Sequence, residues 1–416
     1  MANLTVSIDR GGKPVKNTFG ELRFTNAKWL PHSKLNFPFF VENLFEPAQR
    51  YDEVIAEFRS GRMSKPAIAR KGDKLIFLFD PFAEISSHLL EKSLSQKQPF
   101  YMKFPWIYDL TSAEAHFWIY RILTYMAKIK NFAVRYPFPD WPTDYSYLSI
   151  LHLLRACGEP LDNPKIFMGP WPDGAKSAVC LSHDVDDIHG YRNMEGLLSC
   201  ERQFGFQATY NIPGMRYEVD MAHLKALEDE GFEIGIHGYR HRGETPFMTE
   251  PQIEDRVKRT LERFKTLNIQ GYRSPALRRT TALLKILERY FQYDSSVPDT
   301  ENYMNARGFN GSSIPYPYYS GKLLELPISV QQDGVLMMLG YSSDDILAAW
   351  KEKVRFLKSL GALIIVNTHP DPVFSGKDAM RTAYARLLES IKEDKELHVT
   401  TLGKINHWVR EQAAPR

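Results

Sequence analysis

Cysteine is scarce in this 416-residue chain, where Cys157, Cys180 and Cys200 are the only three. An odd number with no close spacing excludes a disulfide framework and a cysteine-built metal site. Cys180 lies in an apolar run and reads as a reduced core thiol. An excess of charge of either sign is also lacking, since 53 Lys and Arg against 50 Asp and Glu leave a net +3. Near balance at this length argues against a dedicated nucleic-acid binder. No apolar run approaches the ~20 residues of a membrane helix. The start, Met1-Ala2-Asn3-Leu4-Thr5-Val6-Ser7, lacks a basic segment followed by an apolar one. No signal peptide is visible there, so a cytoplasmic chain is expected. What is present is ordinary for a soluble globular protein, 43% hydrophobic and 25% charged. The length leads to an expectation of two or three domains.

Residues 1–165 read as a mixed α+β accessory domain of no evident role. Leu4-Thr5-Val6-Ser7-Ile8 alternates like a strand, and Leu75-Ile76-Phe77-Leu78-Phe79 reads as a buried one. Residues 113–130 read as a long apolar helix, with Phe117, Trp118 and Tyr120 as core aromatics. A second helix is expected over 147–156. Residues 160–174 are rich in proline and glycine and read as a linker.

From Ser177 onward the pattern becomes strand-then-helix. Strands are expected at 178–181, 208–212, 232–236, 271–274, 323–328, 362–367 and 397–400, with helices between most of them. One helix, over 251–267, is preceded by Thr249 with Gln252 three residues on, a capping-box pattern. Repeated alternation implies a parallel sheet. Seven or eight units in ~250 residues predict a barrel.

Polar residues that carry chemistry fall at the ends of these strands, where barrels gather catalytic groups. Asp184-Val185-Asp186-Asp187 follows the strand Ala178-Val179-Cys180-Leu181. Alternation lets Asp184 and Asp186 point the same way, one as a metal ligand and the other as a base. A polar loop with Asp capping the next helix is the plainer alternative. His237-Gly238-Tyr239-Arg240-His241 follows Glu233–Ile236, and two histidines four apart on a helical turn can reach one cation. One Asp and two His leave positions open for water and substrate, the arrangement of a catalytic site. Arg273, in Gly271-Tyr272-Arg273-Ser274-Pro275, can hold a carboxylate bidentately and keep it ionised. His369, in Val366-Asn367-Thr368-His369-Pro370, is placed to trade protons. Tyr293-Asp294-Ser295-Ser296 completes the set.

Taken in order, these five motifs resemble those of the polysaccharide deacetylases, the NodB-homology group or carbohydrate esterase family 4. The resemblance spans about residues 166–416 and leaves the N-terminal region outside it. It implies a distorted (β/α) barrel and a metal-dependent hydrolase that removes N-acetyl, sometimes O-acetyl, groups from an amino sugar or polysaccharide. It implies a divalent metal, zinc first and cobalt, manganese or nickel otherwise, with Asp186, His237 and His241 as ligands. Asp184 becomes the general base, Arg273 its orienting partner and His369 the general acid. Asp187 is a lesser candidate ligand. Two departures stand out: Val185 separates aspartates that are more often adjacent, and no Asp-Trp closes the fourth motif. Asp294 is placed in the catalytic set as the support of His369, with Asp299 as the alternative.

Two other readings stay open. A barrel of this fold could act on a different amide, such as a cyclic ureide, or bind carbohydrate without catalysis. No ligand or base is missing, which disfavours the silent version. Residues 302–322, with Tyr303, Phe309, Tyr316, Tyr318 and Tyr319, could stack on sugar rings or pack as a loop core. Glu325 could point into the barrel mouth or form a buried salt bridge.

Overall fold

The computed structural model describes residues 4–30, 35–90, 98, 115, 117–119, 121–122, 146–159, 165–298 and 314–413. Its N-terminal part holds six strands: β1 (Thr5–Ile8), β2 (Val15–Phe24), β3 (Asn36–Leu44), β4 (Glu53–Ser60), β5 (Met63–Lys71) and β6 (Lys74–Phe77). They form one sheet in the order β1-β6-β5-β4-β2-β3, antiparallel except where β1 joins β6. Only β1 and β6 are anticipated by the sequence pattern. Pro38 and Pro66 interrupt the pattern in β3 and β5. β3 lies at an edge, and the β4–β5 register is irregular over Val54–Glu57, places where a sheet tolerates lost donors.

Helix Ser146–Ala156 joins this sheet to the rest. Tyr147 packs on Phe39 at 5.4 Å between ring centroids, and His152 meets Tyr316 at 6.5 Å. The buried core is therefore continuous from the sheet to the C-terminal part. Residues 165–174 are not a free linker. Trp171 is buried and donates to the Gly361 carbonyl at 2.8 Å. Tyr319 N–H donates to the Lys165 carbonyl at 3.0 Å.

The C-terminal part is a curled sheet: β7 (Ser177–Asp184), β8 (Thr209–Ile212), β9 (Glu233–Ile236), β10 (Gly271–Tyr272), β11 (Tyr293–Asp294), β12 (Tyr318–Ser320), β13 (Leu323–Glu325), β14 (Leu363–Thr368) and β15 (Leu397–Thr400). The order is β12-β13-β11-β10-β9-β8-β7-β14, with β15 on the first half of β7. All pairings are parallel except β12 with β13. Residues 328–330 close the ring, because Val330 N–H donates to the Ile365 carbonyl and Ser329 Oγ to that of Leu363. This is the expected distorted barrel.

Amphipathic helices cover its outside, among them Glu195–Phe204, Glu250–Arg263, Ser343–Leu360 and Asp378–Glu393. The predicted cap is present, with Thr249 N–H donating to Gln252 Oε1 at 3.1 Å. No helix among the described residues is long and apolar enough to cross a membrane. The predicted helix over 113–130 lies mostly outside the described residues, and 115, 117–119 and 121–122 are helical. Trp118 is not core there, being 57% exposed.

Candidate active site

Asp184 ends β7, His237 follows β9, Arg273 follows β10, Asp294 ends β11 and His369 follows β14. The carboxyl ends of four of these strands bring Asp184, His237, Arg273 and His369 toward one site, while Asp294 lies beside Glu325. Along β7, Ser182 and Asp184 share the inner face, while His183 turns outward to Glu201 at 2.6 Å.

Asp186, His237 and His241 come together with their ligand atoms within 4.8 Å of one another. Asp186 Oδ1 stands 3.0 Å from His241 Nε2 and 3.3 Å from His237 Nε2. That oxygen is enclosed and has no hydrogen-bond partner among the described residues beyond these two imidazoles. A buried carboxylate oxygen left this way is costly unless a cation sits beside it. His237 Nδ1 faces the Arg273 carbonyl at 3.1 Å, so it carries the proton and leaves the Nε2 lone pair toward Asp186. Burial lowers the His241 pKa. Burial alone would raise that of Asp186, but His241 and His237 outweigh it and hold it well below the usual range. An anionic Asp186 and neutral imidazoles are the state in which this donor set binds a metal. The residues present fit a divalent ion.

The pair of histidines does not sit on a helical turn, as the spacing suggests. His241 has φ 55° and Gly238 φ 66°, so a left-handed loop turns both rings inward to 4.8 Å between centroids. Gly238 is needed there, since a Cβ would lie 2.5 Å from Pro275 Cδ. Asp187 is not one of the three clustered residues. Its Oδ1 caps helix Ile188–Arg192 through the amides of His189 and Gly190.

Asp184 is buried and held on both oxygens. Oδ1 accepts from Asn211 Nδ2 and Arg273 Nη1, each at 3.0 Å, and Oδ2 from Asn367 Nδ2 at 2.9 Å. Burial would raise its pKa, but Arg273, His237 and His369 bring it down to about 2. Oδ2 also lies 4.0 Å from His237 Nε2, on the side of the candidate metal ligands. Arg273 does not grip Asp184 with a fork. One nitrogen reaches Asp184, Ser182 and Asn367, while Nε and Nη2 bind Ser295. The guanidinium thus ties β7, β14 and the end of β11 behind the carboxylate.

Loss of that tie gives a first prediction. In Arg273→Ala, Asp184 loses its strongest attractive partner and its pKa rises. A base must be ionised to accept a proton, so the acidic limb of the pH–rate profile should move to higher pH while metal content holds. Arg273→Lys should move it less, keeping one donor and the charge. A destabilised Arg273→Ala with an unmoved acidic limb would make Arg273 purely structural.

His369 carries a correction. Its expected support, Asp294, is elsewhere, and Asp299 lies outside the described residues. The partner is Asp333, the first residue of helix Asp333–Met338, whose Oδ1 meets His369 Nδ1 at 2.6 Å. Asp333 Oδ2 also accepts from the His369 amide and from Ser375. Burial would lower the His369 pKa, but Asp333, then Asp186 and Asp184, raise it to about 10. Nothing local marks Asp333 in the sequence except a Gln-Gln-Asp-Gly helix start.

Asp294 instead pairs with Glu325, its neighbour across the β11–β13 register. Asp294 Oδ1 accepts from Ser296 Oγ at 2.7 Å, and Glu325 Oε1 from Val297 N–H at 2.9 Å. Burial raises the Asp294 pKa to about 6 and, with Asp294 beside it, raises that of Glu325 well above its usual value. Burial and mutual repulsion favour a proton retained by this pair, and Glu325 lies against Asp294 within the sheet. Both folded pKa values are raised, so this pair's stabilisation is complete at low pH and fades as pH rises through about 6. Glu325→Gln donates to Asp294 without a titrating proton. Its melting temperature should therefore gain on the wild type as pH climbs past that value, and parallel curves would refute the retained proton.

Of the aromatic stretch over 302–322, residues 314–322 are described. Tyr316 and Tyr318 are buried, with Tyr316 donating to the Leu360 carbonyl at 2.9 Å, so these two are core. Tyr303 and Phe309 lie outside the described residues.

Comparison with known proteins adds three findings. The chain is 25% identical over 284 residues to the peptidoglycan deacetylase of Helicobacter pylori, covering 61% of this chain and 94% of that one. It is 31% identical over 151 residues to the peptidoglycan deacetylase-like protein FGM2 of Gibberella zeae, covering 34% of this chain and 45% of that one. Among solved structures, a Mycobacterium smegmatis protein crystallised under the polysaccharide deacetylase name superposes with a TM-score of 0.50 at 21% identity, over 60% of this chain and 95% of that one. The last shows a shared fold. No family model matches the chain.

Proposed function

We propose, from the premise that this chain is a relative of the NodB-homology polysaccharide deacetylases, that it is a metal-dependent hydrolase removing N-acetyl groups from an amino-sugar glycan. The observation that carries this is the enclosed Asp186 Oδ1 facing two imidazole nitrogens, with Asp184 anchored on Arg273 and His369 anchored on Asp333. The names of the Helicobacter and Gibberella relatives support a glycan substrate.

Asp186, His237 and His241 would hold the divalent ion, zinc first among the candidates. When bound, such an ion polarises a carbonyl and lowers the pKa of water toward about 7. Asp184 is ionised at neutral pH and keeps a lone pair on Oδ2 toward the ligand set, so it takes the proton of the attacking water. Arg273, Asn211 and Asn367 fix that carboxylate and stop it swinging onto the ion. His369, charged and fixed at Nδ1, gives its Nε2 proton to the leaving nitrogen. Amide cleavage needs that proton, because an amine anion is a poor leaving group. Asp333 keeps the imidazole charged until then.

The test begins with metal. Purified wild type should hold one divalent ion per chain by elemental analysis, and His237→Ala should lose most of it. Stoichiometric metal in the double variant His237→Ala, His241→Ala would overturn the ligand assignment. A panel of N-acetylated sugars, polymers and lipid- or nucleotide-linked intermediates, assayed for acetate, sorts the substrate.

A further inference from the structure

The N-terminal region reaches the catalytic acid. Phe117 lies 6.0 Å from Phe374 between ring centroids, and Phe374 lies 5.3 Å from His369. Lys377 Nζ sits 5.9 Å from the Phe117 centroid. The next residue, Trp118, packs edge-on against Phe117 at 5.8 Å and is backed by the Arg121 guanidinium at 5.3 Å. A Cβ on Gly340, just beyond the helix that begins with Asp333, would stand 3.8 Å from Arg121 Nη2. Held this way, Trp118 is still 57% exposed, beside Ile119 at 48% and Ile122 at 57%.

Trp118, Ile119 and Ile122 make an exposed apolar patch, which is seldom left open to water without use. This one is continuous, through two phenylalanines, with the histidine that donates the proton. Its indole is braced on an edge and a face, so little side-chain freedom remains to be lost on contact. A pyranose ring has an apolar C–H face that suits an aromatic surface. The residues gathered at the candidate site, Asp184, Asp186, His237, His241 and Arg273, are polar and suit an acetamido group.

We propose that Trp118 is a stacking platform for a sugar unit next to the one that is deacetylated, so that Trp118, Ile119 and Ile122 form one wall of the substrate cleft and the substrate is a glycan chain. The proposal rests on the deacetylase reading and extends it to the N-terminal region. Trp118 is a binding residue and Phe117 positions it against the His369 loop.

Calorimetric titration of the full chain with a β-1,4-linked N-acetylglucosamine tetramer, and with the monosaccharide, tests it. Wild type should bind the tetramer roughly tenfold or more tighter than the monosaccharide. Trp118→Ala should lose most of that advantage, and Trp118→Phe should restore most of it. An exposed site tolerates both changes, so equal melting temperatures are expected. Tetramer binding that depends on Trp118 in a chain releasing no acetate would support the platform and sink the deacetylase reading. Tetramer affinity unchanged in Trp118→Ala, or no tetramer binding by wild type, would overturn the platform whatever the acetate assay shows. A dimer lost in Trp118→Ala with sugar affinity intact would give the patch to a second copy and overturn it as well.

Discussion

Asp184→Asn should keep its metal and lose roughly 10²–10⁴-fold in kcat, the usual worth of a positioned proton acceptor. The ligand atoms of Asp186, His237 and His241 do not include Asp184, so elemental analysis should read the same as for wild type. Stability should also fall, for a reason visible in the hydrogen bonds. Asp184 accepts from three donors, Asn211, Arg273 and Asn367. An amide can accept at one end only, so its NH₂ must face a donor. Asn367 cannot turn to compensate, because its Oδ1 already accepts from Arg273 and from Ser182. The fully buried guanidinium also loses its counter-charge. Breaking such a buried pair costs about 3–5 kcal/mol. A lower melting temperature with full metal content and collapsed turnover is the expected triple. Loss of the metal in Asp184→Asn with retention in Asp186→Asn would exchange the roles of the two aspartates.

His369→Ala should cost a comparable 10²–10⁴-fold, and Asp333→Asn separates the acid's chemistry from its placement. An asparagine can still accept the Nδ1 proton but carries no charge. Asp333 is the largest influence raising the His369 pKa toward about 10. Without it the imidazole gives up its proton at lower pH. An acid must hold its proton to act, so the basic limb of the pH–rate profile should move to lower pH in Asp333→Asn. Asp333 also accepts from Ser375 and from the His369 amide, so some stability is lost regardless. A basic limb that stays put while melting temperature falls would reduce Asp333 to a loop anchor.

The barrel and the cluster of Asp186, His237 and His241 are legible in the sequence because both depend on local order. Buried parallel strands read as apolar runs, and the carboxyl end of each presents its next polar residues to one mouth. What is not legible depends on distant partners. Asp333 meets His369 across 36 positions of chain and starts an ordinary helix. Asp294 stands in the motif position for that task, yet its neighbour in the register is Glu325, and two buried carboxyls prefer to share a proton. The convergence of His237 and His241 looks helical from their spacing but comes from two left-handed residues. In the N-terminal sheet, strands such as Glu53–Ser60 carry charge on their outer face and proline in their partners, which blurs the alternation. Trp118 reads as core because apolar residues surround it in sequence, whereas it stands at the surface beside the catalytic loop.

The most direct test of a metal-dependent deacetylase is acetate itself. The chain is stripped with chelator and reloaded with increasing zinc. Free acetate is then measured from an N-acetylglucosamine oligomer alongside metal bound per chain. Acetate release should rise in proportion to occupancy, reach its limit at one ion per chain and stay at background in the His237→Ala, His241→Ala double variant. Equal release from the stripped chain, or from the double variant, would contradict the account.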